Sequence, residues 1–411
     1  MMSKKIVLIT LLVLVGICNL LFIAYFFYQN RYLPAPFILD KNDTFMDFFH
    51  TLYWSQNDGI YTEWKSIYPP LNFLILDFFY EFFIGDLNGT PFEYRKQSLS
   101  KLFGIGVIFA SCLLASIKIS YGKLVNLKYQ LLLIFFFLLS PPFLFALERG
   151  NLLILCLPLL SLYILPLNNI YKSLILSLLV NLKPYFLILY IVVFINSKIN
   201  NENKDLIFLM PIFSLIIFLS TGLILNQEFY LLPFNLFGFS NPGAILSPYN
   251  ILTFPSSISS FIFLNEIIPD FKISKYLGYA LKILLFYFIF KLIQLVLRKK
   301  LTMDYLTIIG VVIITNYSIT SGGYSLLFYI PILAIFYKNK NYAFLAIISI
   351  IFLGVIGLIP IYYNIYNVIG MSYLSLGTVE IVQNLTLSSL VYPVANFIVI
   401  VMLYNYLKNK G

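Results

Sequence analysis

Long apolar runs recur from one end of this chain to the other, beginning with IVLITLLVLVGICNLLFIAYFFY at residues 6–28. Hydrocarbon holds no water to satisfy peptide groups, so such runs can cross it only as helices bonded to themselves. Each crossing takes about 18 residues or more. Composition agrees, with 60% of the 411 residues hydrophobic and 11% charged, against about 45–50% and about 25% in soluble domains. The formal charge of +10 comes from lysines in the short loops between runs. That distribution is a positive-inside signature rather than a nucleic-acid footprint, and no nucleic-acid partner is expected. Cys18, Cys112 and Cys156 all fall inside apolar runs and read as packing residues.

Lysine placement decides the threading. With 71–84 (LNFLILDFFYEFFI) at the interface, 98–117 runs inward and Lys118, Lys123 and Lys128 become cytoplasmic. Residues 129–147 then run outward, 150–166 return, and 172–196 breaks at Lys183-Pro184 into two half-helices meeting near the outer face. Lys172, Lys198, Arg298, Lys299, Lys338 and Lys408 all then fall inside. The alternative, in which 71–84 spans, exports the Lys118–Lys128 cluster and sinks Asp77 and Glu81 into hydrocarbon at roughly 2.5–3.5 kcal/mol per acid. The expected fold is therefore all-α and polytopic, with about 12 passes including half-helices. The chain reads as one integral-membrane domain, 1–411. Within it, 1–200 forms one module with a first outer loop at 29–97, and 201–411 a second with outer loops at 227–275 and 362–389.

This threading gathers scattered polar residues on one outer surface. The first loop carries DTFMDFFHTLYWSQNDGIYTEWKSIYPP at 43–70, with Asp43, Asp47, Asp58, Glu63 and the only histidine, His50. Asp47, flanked by aromatics, is either a general base or a surface acid on an amphipathic helix. His50 lies three residues on, hence on the same helical face, where it orients Asp47, binds substrate or simply sits at the interface. Tyr68-Pro69-Pro70 makes a rigid turn into 71–84, with proline near the first helical turn.

Two cationic motifs follow. In Glu148-Arg149-Gly150-Asn151, Arg149 has the fork geometry to hold a phosphate, or it pairs with Glu148 to lock two helices. Gly150 permits close backbone approach. In Lys183-Pro184-Tyr185, proline opens the helix beside a cation, which makes either an anion site or a lysine snorkelling to the interface. There is no Walker loop, no dinucleotide fingerprint and no Cys/His cluster of zinc spacing, so neither a metal nor another cofactor is expected.

The ordered set of a first-loop acid, YPP, an RGN-type motif opening a helix, and KPY resembles glycosyltransferase family 87, across roughly residues 1–200. Those integral-membrane enzymes of C-type (GT-C) architecture, with juxtamembrane helices in the first outer loop, use polyprenyl-phosphate sugars, often mannose. The resemblance implies that Asp47 is the catalytic base and that Arg149 and Lys183 meet the donor phosphate. His50, Asp58, Tyr68, Pro69, Pro70, Glu148, Asn151, Tyr185 and Tyr324 would support or bind substrate. Arg149-Gly150-Asn151 stands where many members have Gly-Gln-x-Asn. A late-loop histidine of some relatives is replaced here by Gly323-Tyr324.

The implied activity is inverting transfer of mannose or another hexose from a polyprenyl-phosphate donor to an extracytoplasmic glycan or glycolipid, at a bacterial plasma membrane. Two rival classes stay open. An envelope-polysaccharide polymerase is expected to use several outer-loop arginines, and 227–275 has none. A lipid-linked oligosaccharide flippase is expected to break helices near mid-membrane and to repeat between halves, and only the Lys183-Pro184 break is visible.

Overall fold

Helix length divides the structure into two classes. The computed structural model describes residues 4–34, 44–85, 89–98, 101–199, 203–238, 273–317, 322–371 and 378–409. Among these, five helices are long and apolar enough to cross a membrane: α1 (Lys4–Asn30), α5 (Leu102–Tyr121), α11 (Lys204–Leu225), α13 (Ile273–Arg298) and α17 (Ser388–Asn409). A sixth counts if α6 (Leu127–Leu138) and α7 (Pro141–Arg149) form one span bent by 62°. Shorter apolar helices fill the interior: α8 (Cys156–Tyr163), α9 (Asn169–Leu182), α10 (Leu187–Ser197), α14 (Met303–Tyr317), α15 (Tyr329–Lys338) and α16 (Tyr342–Ile351). The rest of the first loop supplies α2 (Met46–Ser55), α3 (Pro70–Phe79) and α4 (Pro91–Gln97), and α12 (Leu232–Gly238) follows α11. The chain is thus a helical integral membrane protein.

Two sequence expectations are corrected. Residues 129–147 do not form one straight pass. Pro141 and Pro142 cannot continue a helix from Leu138, and Ser140 is extended before them. The carbonyl of Leu139, left without a helical donor at the bend, accepts from the Asn19 amide of α1 at 3.1 Å. The segment 362–389, expected as an outer loop, contains most of a strand pair. Strands β1 (Pro360–Met371) and β2 (Thr378–Thr386) pair antiparallel, in register from Tyr366↔Gln383 to Met371↔Thr378. Their Ile, Tyr and Val content is what favours a strand. Of the 227–275 loop, 239–272 lie outside the described residues.

The break at Lys183-Pro184 is as expected. A three-residue 3-10 turn, Pro184–Phe186, separates α9 from α10. Both helices begin or end at one basic end of the molecule. There Lys338 pairs with Asp304 at 2.8 Å, and Lys172 lies within electrostatic reach of both. Asn196 bonds the Val296 and Lys299 carbonyls at 2.7 and 2.8 Å, and the Lys299 ammonium caps α17 through Leu407 and Lys408. From that end α9, with 14 residues, rises about 21 Å, whereas α13, with 26, rises about 39 Å. The hydrocarbon core is about 30 Å thick. Lys183, at the far end of α9, is therefore held below the ends of the long helices.

Polar side chains register the parallel pair α9 and α11. Ser173, Ser177 and Asn181, each four residues apart on one face, bond the carbonyls of Leu206, Met210 and Ser214 in turn. Pro211 interrupts α11 and lacks the N–H that would bond Ile207, and the Tyr190 hydroxyl takes that carbonyl at 3.1 Å.

Residues 70–84 are not among the helices long and apolar enough to cross. Pro70 occupies the first turn of α3, as the Tyr-Pro-Pro run predicts. Asp77 turns toward the end of α2, where the Gln56 amide donates to it at 2.8 Å, while Phe78 and Phe82 pack with tilted rings on the exposed side. Burial pushes the Asp77 carboxyl up to about 6 from 3.8, and Glu81 adds to the rise. Because the folded value is raised, the stabilising contribution of the protonated acid is complete below 3.8 and is lost as pH climbs through about 6. Asp77→Asn should then melt higher than wild type above pH 6, by on the order of 1 kcal/mol after discounting for its partly hydrated surroundings. Thermal melts in detergent should show that gap closing as pH falls toward 3.8; a gap independent of pH removes the assignment.

Candidate active site

Asp47 stands in the first turn of α2, and the start of that helix is tied to the end of α7. Phe45 adopts a left-handed conformation (φ 65°) as the helix cap and donates its N–H to the Glu148 carbonyl at 2.7 Å. Arg95 of α4 donates to the Thr44 carbonyl at 2.6 Å, and the Thr44 hydroxyl reaches the Glu148 carboxylate at 3.4 Å. Glu148 therefore positions the backbone before Asp47.

Gly150 makes this approach possible. It ends α7 in the left-handed region (φ 68°), where a side chain is strained. A Cβ there would sit 2.9 Å from both Phe45 Cδ1 and Phe48 Cβ. The close neighbour is thus the protein's own α2. Asn151, next in the chain, accepts from the Leu153 N–H through Oδ1 at 3.0 Å. That fixes its amide so that Nδ2 faces Asp47 Oδ2, at 3.1 Å.

Arg149 closes the group. Its Nε donates to Asp47 Oδ1 at 2.9 Å, and Nη2 donates to the same oxygen. Tyr324, from the 3-10 segment Gly322–Phe328, donates its hydroxyl to Oδ2 at 3.2 Å. The Tyr324 ring lies flat on Phe145 (4.7 Å, 6°), one helical turn before Arg149. A carboxylate offers about four acceptor positions. Arg149 Nε and Nη2, Asn151 Nδ2 and Tyr324 Oη fill them all.

Lys183 forms a second centre. Its side chain is 7% exposed, and its ammonium lies over the Tyr68 ring at 4.1 Å. Among the described residues no carboxylate or neutral acceptor reaches bonding distance of that ammonium. The Tyr185 hydroxyl, within electrostatic reach of Cys156 and Tyr68, is buried and likewise has no partner among them. Tyr68 is held by its own surroundings, its N–H donating to Ser66 Oγ and its carbonyl accepting from the Tyr61 hydroxyl. Asn72, two residues past Pro70, bonds the Asn181 and Leu182 carbonyls at the end of α9. A cation and a phenol that are buried without acceptors favour an anion brought from outside.

The two centres share walls. Cys156, five residues after Asn151, lies within electrostatic reach of Lys183. Phe328, four residues after Tyr324, packs on Tyr185 and Phe186. The sequence expected Arg149 and Lys183 to serve one phosphate together; Arg149 is instead turned onto Asp47. His50 packs edge-on against Phe92 (5.8 Å). Asp58 and Gly59 clasp the Gln227 amide at 3.0 and 3.1 Å, which fastens the first loop to the chain after α11. Asp43 lies outside the described residues. Asn72, Phe145 and Gln227 were not singled out by sequence, although Phe145 sits one turn from Arg149 and Asn72 lies two residues past the proline pair.

Compared with known proteins, the chain matches no family model, no curated protein and no solved structure.

Gly150→Ala adds both left-handed strain and the contact with Phe45 and Phe48, so it should cost about 1–3 kcal/mol. Its thermal melt should fall well below that of Gly85→Ala, a glycine also of positive φ but with open space around its Cβ position. Equal melts would remove the steric role.

Proposed function

We propose that this protein transfers a hexosyl unit from a polyprenyl-phosphate donor to a glycan or glycolipid acceptor, in a GT-C architecture whose half-helices meet at Lys183. The observation that carries this reading is the presence of a carboxylate, Asp47, together with a buried cation, Lys183, that has no anion at bonding distance among the described residues. A transferase of this class needs both functions within one site. The acceptor hydroxyl must lose a proton, and the leaving phosphate must be stabilised as its charge grows.

In this reading the donor lipid stays in hydrocarbon while its phosphate takes the Lys183 ammonium and the Tyr185 hydroxyl. The acceptor oxygen forms its bond to the anomeric carbon as the carbon–oxygen bond to phosphate breaks. The electron pair leaves on the phosphate, and the hydroxyl proton passes to Asp47, giving inversion. Arg149 and Asn151 hold the carboxylate in place. Tyr324 makes the longest bond to Asp47 and comes from a short 3-10 segment, so its position is the one an acceptor hydroxyl would take.

Mass spectrometry of envelope glycans and lipid-linked intermediates tests the reading in cells carrying wild type, a deletion, Asp47→Asn or Lys183→Ala. Asp47→Asn, present in the membrane at normal level, should lower transfer by about 10²-fold or more and leave one sugar missing from a defined glycan. Near-normal transfer would end the base assignment. In membranes supplied with donor, Lys183→Ala should raise the donor concentration needed for half-maximal rate by about tenfold or more. An unchanged donor dependence would count against the phosphate role. A complete repeat unit with shortened chains would instead identify a polymerase, and complete intermediates retained on the cytoplasmic side a flippase.

A further inference from the structure

Asp47 is not alone on its face of α2. Asp47, His50 and Trp54 are all partly exposed, whereas Met46, Phe48, Phe49, Thr51 and Leu52 are buried. At about 100° per residue, steps of three and seven return to within about 60° and 20° of the start. The three side chains therefore form one row, and its two ends are about 10 Å apart along the helix axis.

The far end of the row is an aromatic platform. Trp54 and Trp64 lie nearly parallel, with ring centroids 6.1 Å apart and planes at 13°. Tyr53 braces Trp64 edge-on at 5.9 Å and is itself braced by Tyr94 at 5.5 Å. Trp64 is placed by a tight turn in which Glu63 and Trp64 both donate to the Gly59 carbonyl. Both indoles are partly exposed, and neither indole N–H has a partner among the described residues. Thr62, Glu63 and Lys65 beside them are exposed.

This chemistry suits a sugar chain. The C–H face of a pyranose carries weak positive charge and stacks on the negative face of an aromatic ring. Its hydroxyls both donate and accept, matching free indole N–H groups, a carboxylate and an ammonium on the rim. A lipid tail has no use for a row that begins with a carboxylate and an imidazole. About 10 Å is the length of a short run of linked sugar rings.

Resting on the transferase reading, we infer that α2 carries an acceptor track. The reacting hydroxyl of a glycan lies at Asp47, the following rings pass His50, and an inner ring stacks on the Trp54–Trp64 pair. The track selects acceptors that are already oligosaccharides over single sugars.

The chain contains only two tryptophans, and both belong to this platform. Fluorescence of the full-length protein in a sugar-free phosphocholine detergent, excited at the red edge where only indole absorbs, therefore reports on the track and not on the 32 tyrosines. The probes are oligosaccharides of increasing length built from glucose, galactose, mannose or N-acetylglucosamine, added to wild type. At least one series should change the emission saturably and bind more tightly as length grows. Trp54→Phe and Trp64→Phe keep a packing ring and show which indole responds, while Trp64→Leu should weaken binding by about tenfold. The inference is overturned if no series changes the emission. It is equally overturned if the indoles respond only to brominated lipid in vesicles, which would make the platform a membrane anchor. If glycans bind but cells with Asp47→Asn keep their envelope glycans intact, the track stands and the transferase reading falls. If transfer needs Asp47 but no glycan reaches the indoles, the track falls alone.

Discussion

The ion pair between Asp47 and Arg149 joins two parts of the chain 102 residues apart, and the arrangement of the whole polar end follows from it. Both side chains are mostly buried, at 23% and 15% exposure. Removing either partner would leave an uncompensated charge in a poorly hydrated place, which costs far more than an exposed pair is worth. The pair therefore fixes where α2 sits on α7. Gly150 follows as a necessity, since any side chain there would push α2 away and lengthen the bond. Asn151 and Tyr324 then complete the coordination of the carboxylate. One acid thus orders three stretches of chain: the start of α2, residues 149–151 and the segment of Tyr324.

A second constraint acts throughout the helical body. Short helices end inside the thickness of the membrane, where their last carbonyls meet neither water nor another turn. Asparagine amides meet this need repeatedly. Asn19 bonds Leu139 at the bend and Leu353, Asn72 bonds Asn181 and Leu182 at the end of α9, and Asn196 bonds Val296 and Lys299. Each of these amides joins two elements while it satisfies a helix end, so the short helices are held at fixed depth.

Parts of this were legible in the sequence because the signal was local. Lys183-Pro184 had to break its helix, since proline removes a donor, and Pro70 had to open α3. The proline pair at 141–142 carried the same signal, but the apolar run around it reads as continuous by hydropathy, and the bend was missed. The hairpin at 360–386 was missed for a related reason. Its alternation of Ile, Tyr and Val is a strand pattern, but in a chain of helices it reads as one more polar loop. Long-range partners left no local trace at all. Nothing near Arg149 in sequence prefers Asp47 to Glu148 or to a phosphate, because that choice depends on the turn at Gly150 and on the packing of Phe45 and Phe48.

The two charged centres differ in a way that bears on how such a site would work. Asp47 is satisfied by the protein to the full capacity of its oxygens, so it is stable without substrate and must exchange a bond to act. Lys183 has an aromatic face beneath it and no anion at bonding distance among the described residues, which favours one brought from outside. An anionic lipid headgroup would therefore bind first and most strongly at Lys183, about 21 Å from the basic end of a core about 30 Å thick, drawn below the usual headgroup plane. With the donor seated there, its sugar would extend toward Asp47 along the wall shared by Cys156 and Phe328. The remaining step is local: an incoming hydroxyl replaces the Tyr324 phenol on Oδ2, one oxygen donor for another, while Arg149 and Asn151 keep the carboxylate in place. In the proposed transferase reading, charge compensation alone would set an order of lipid before acceptor.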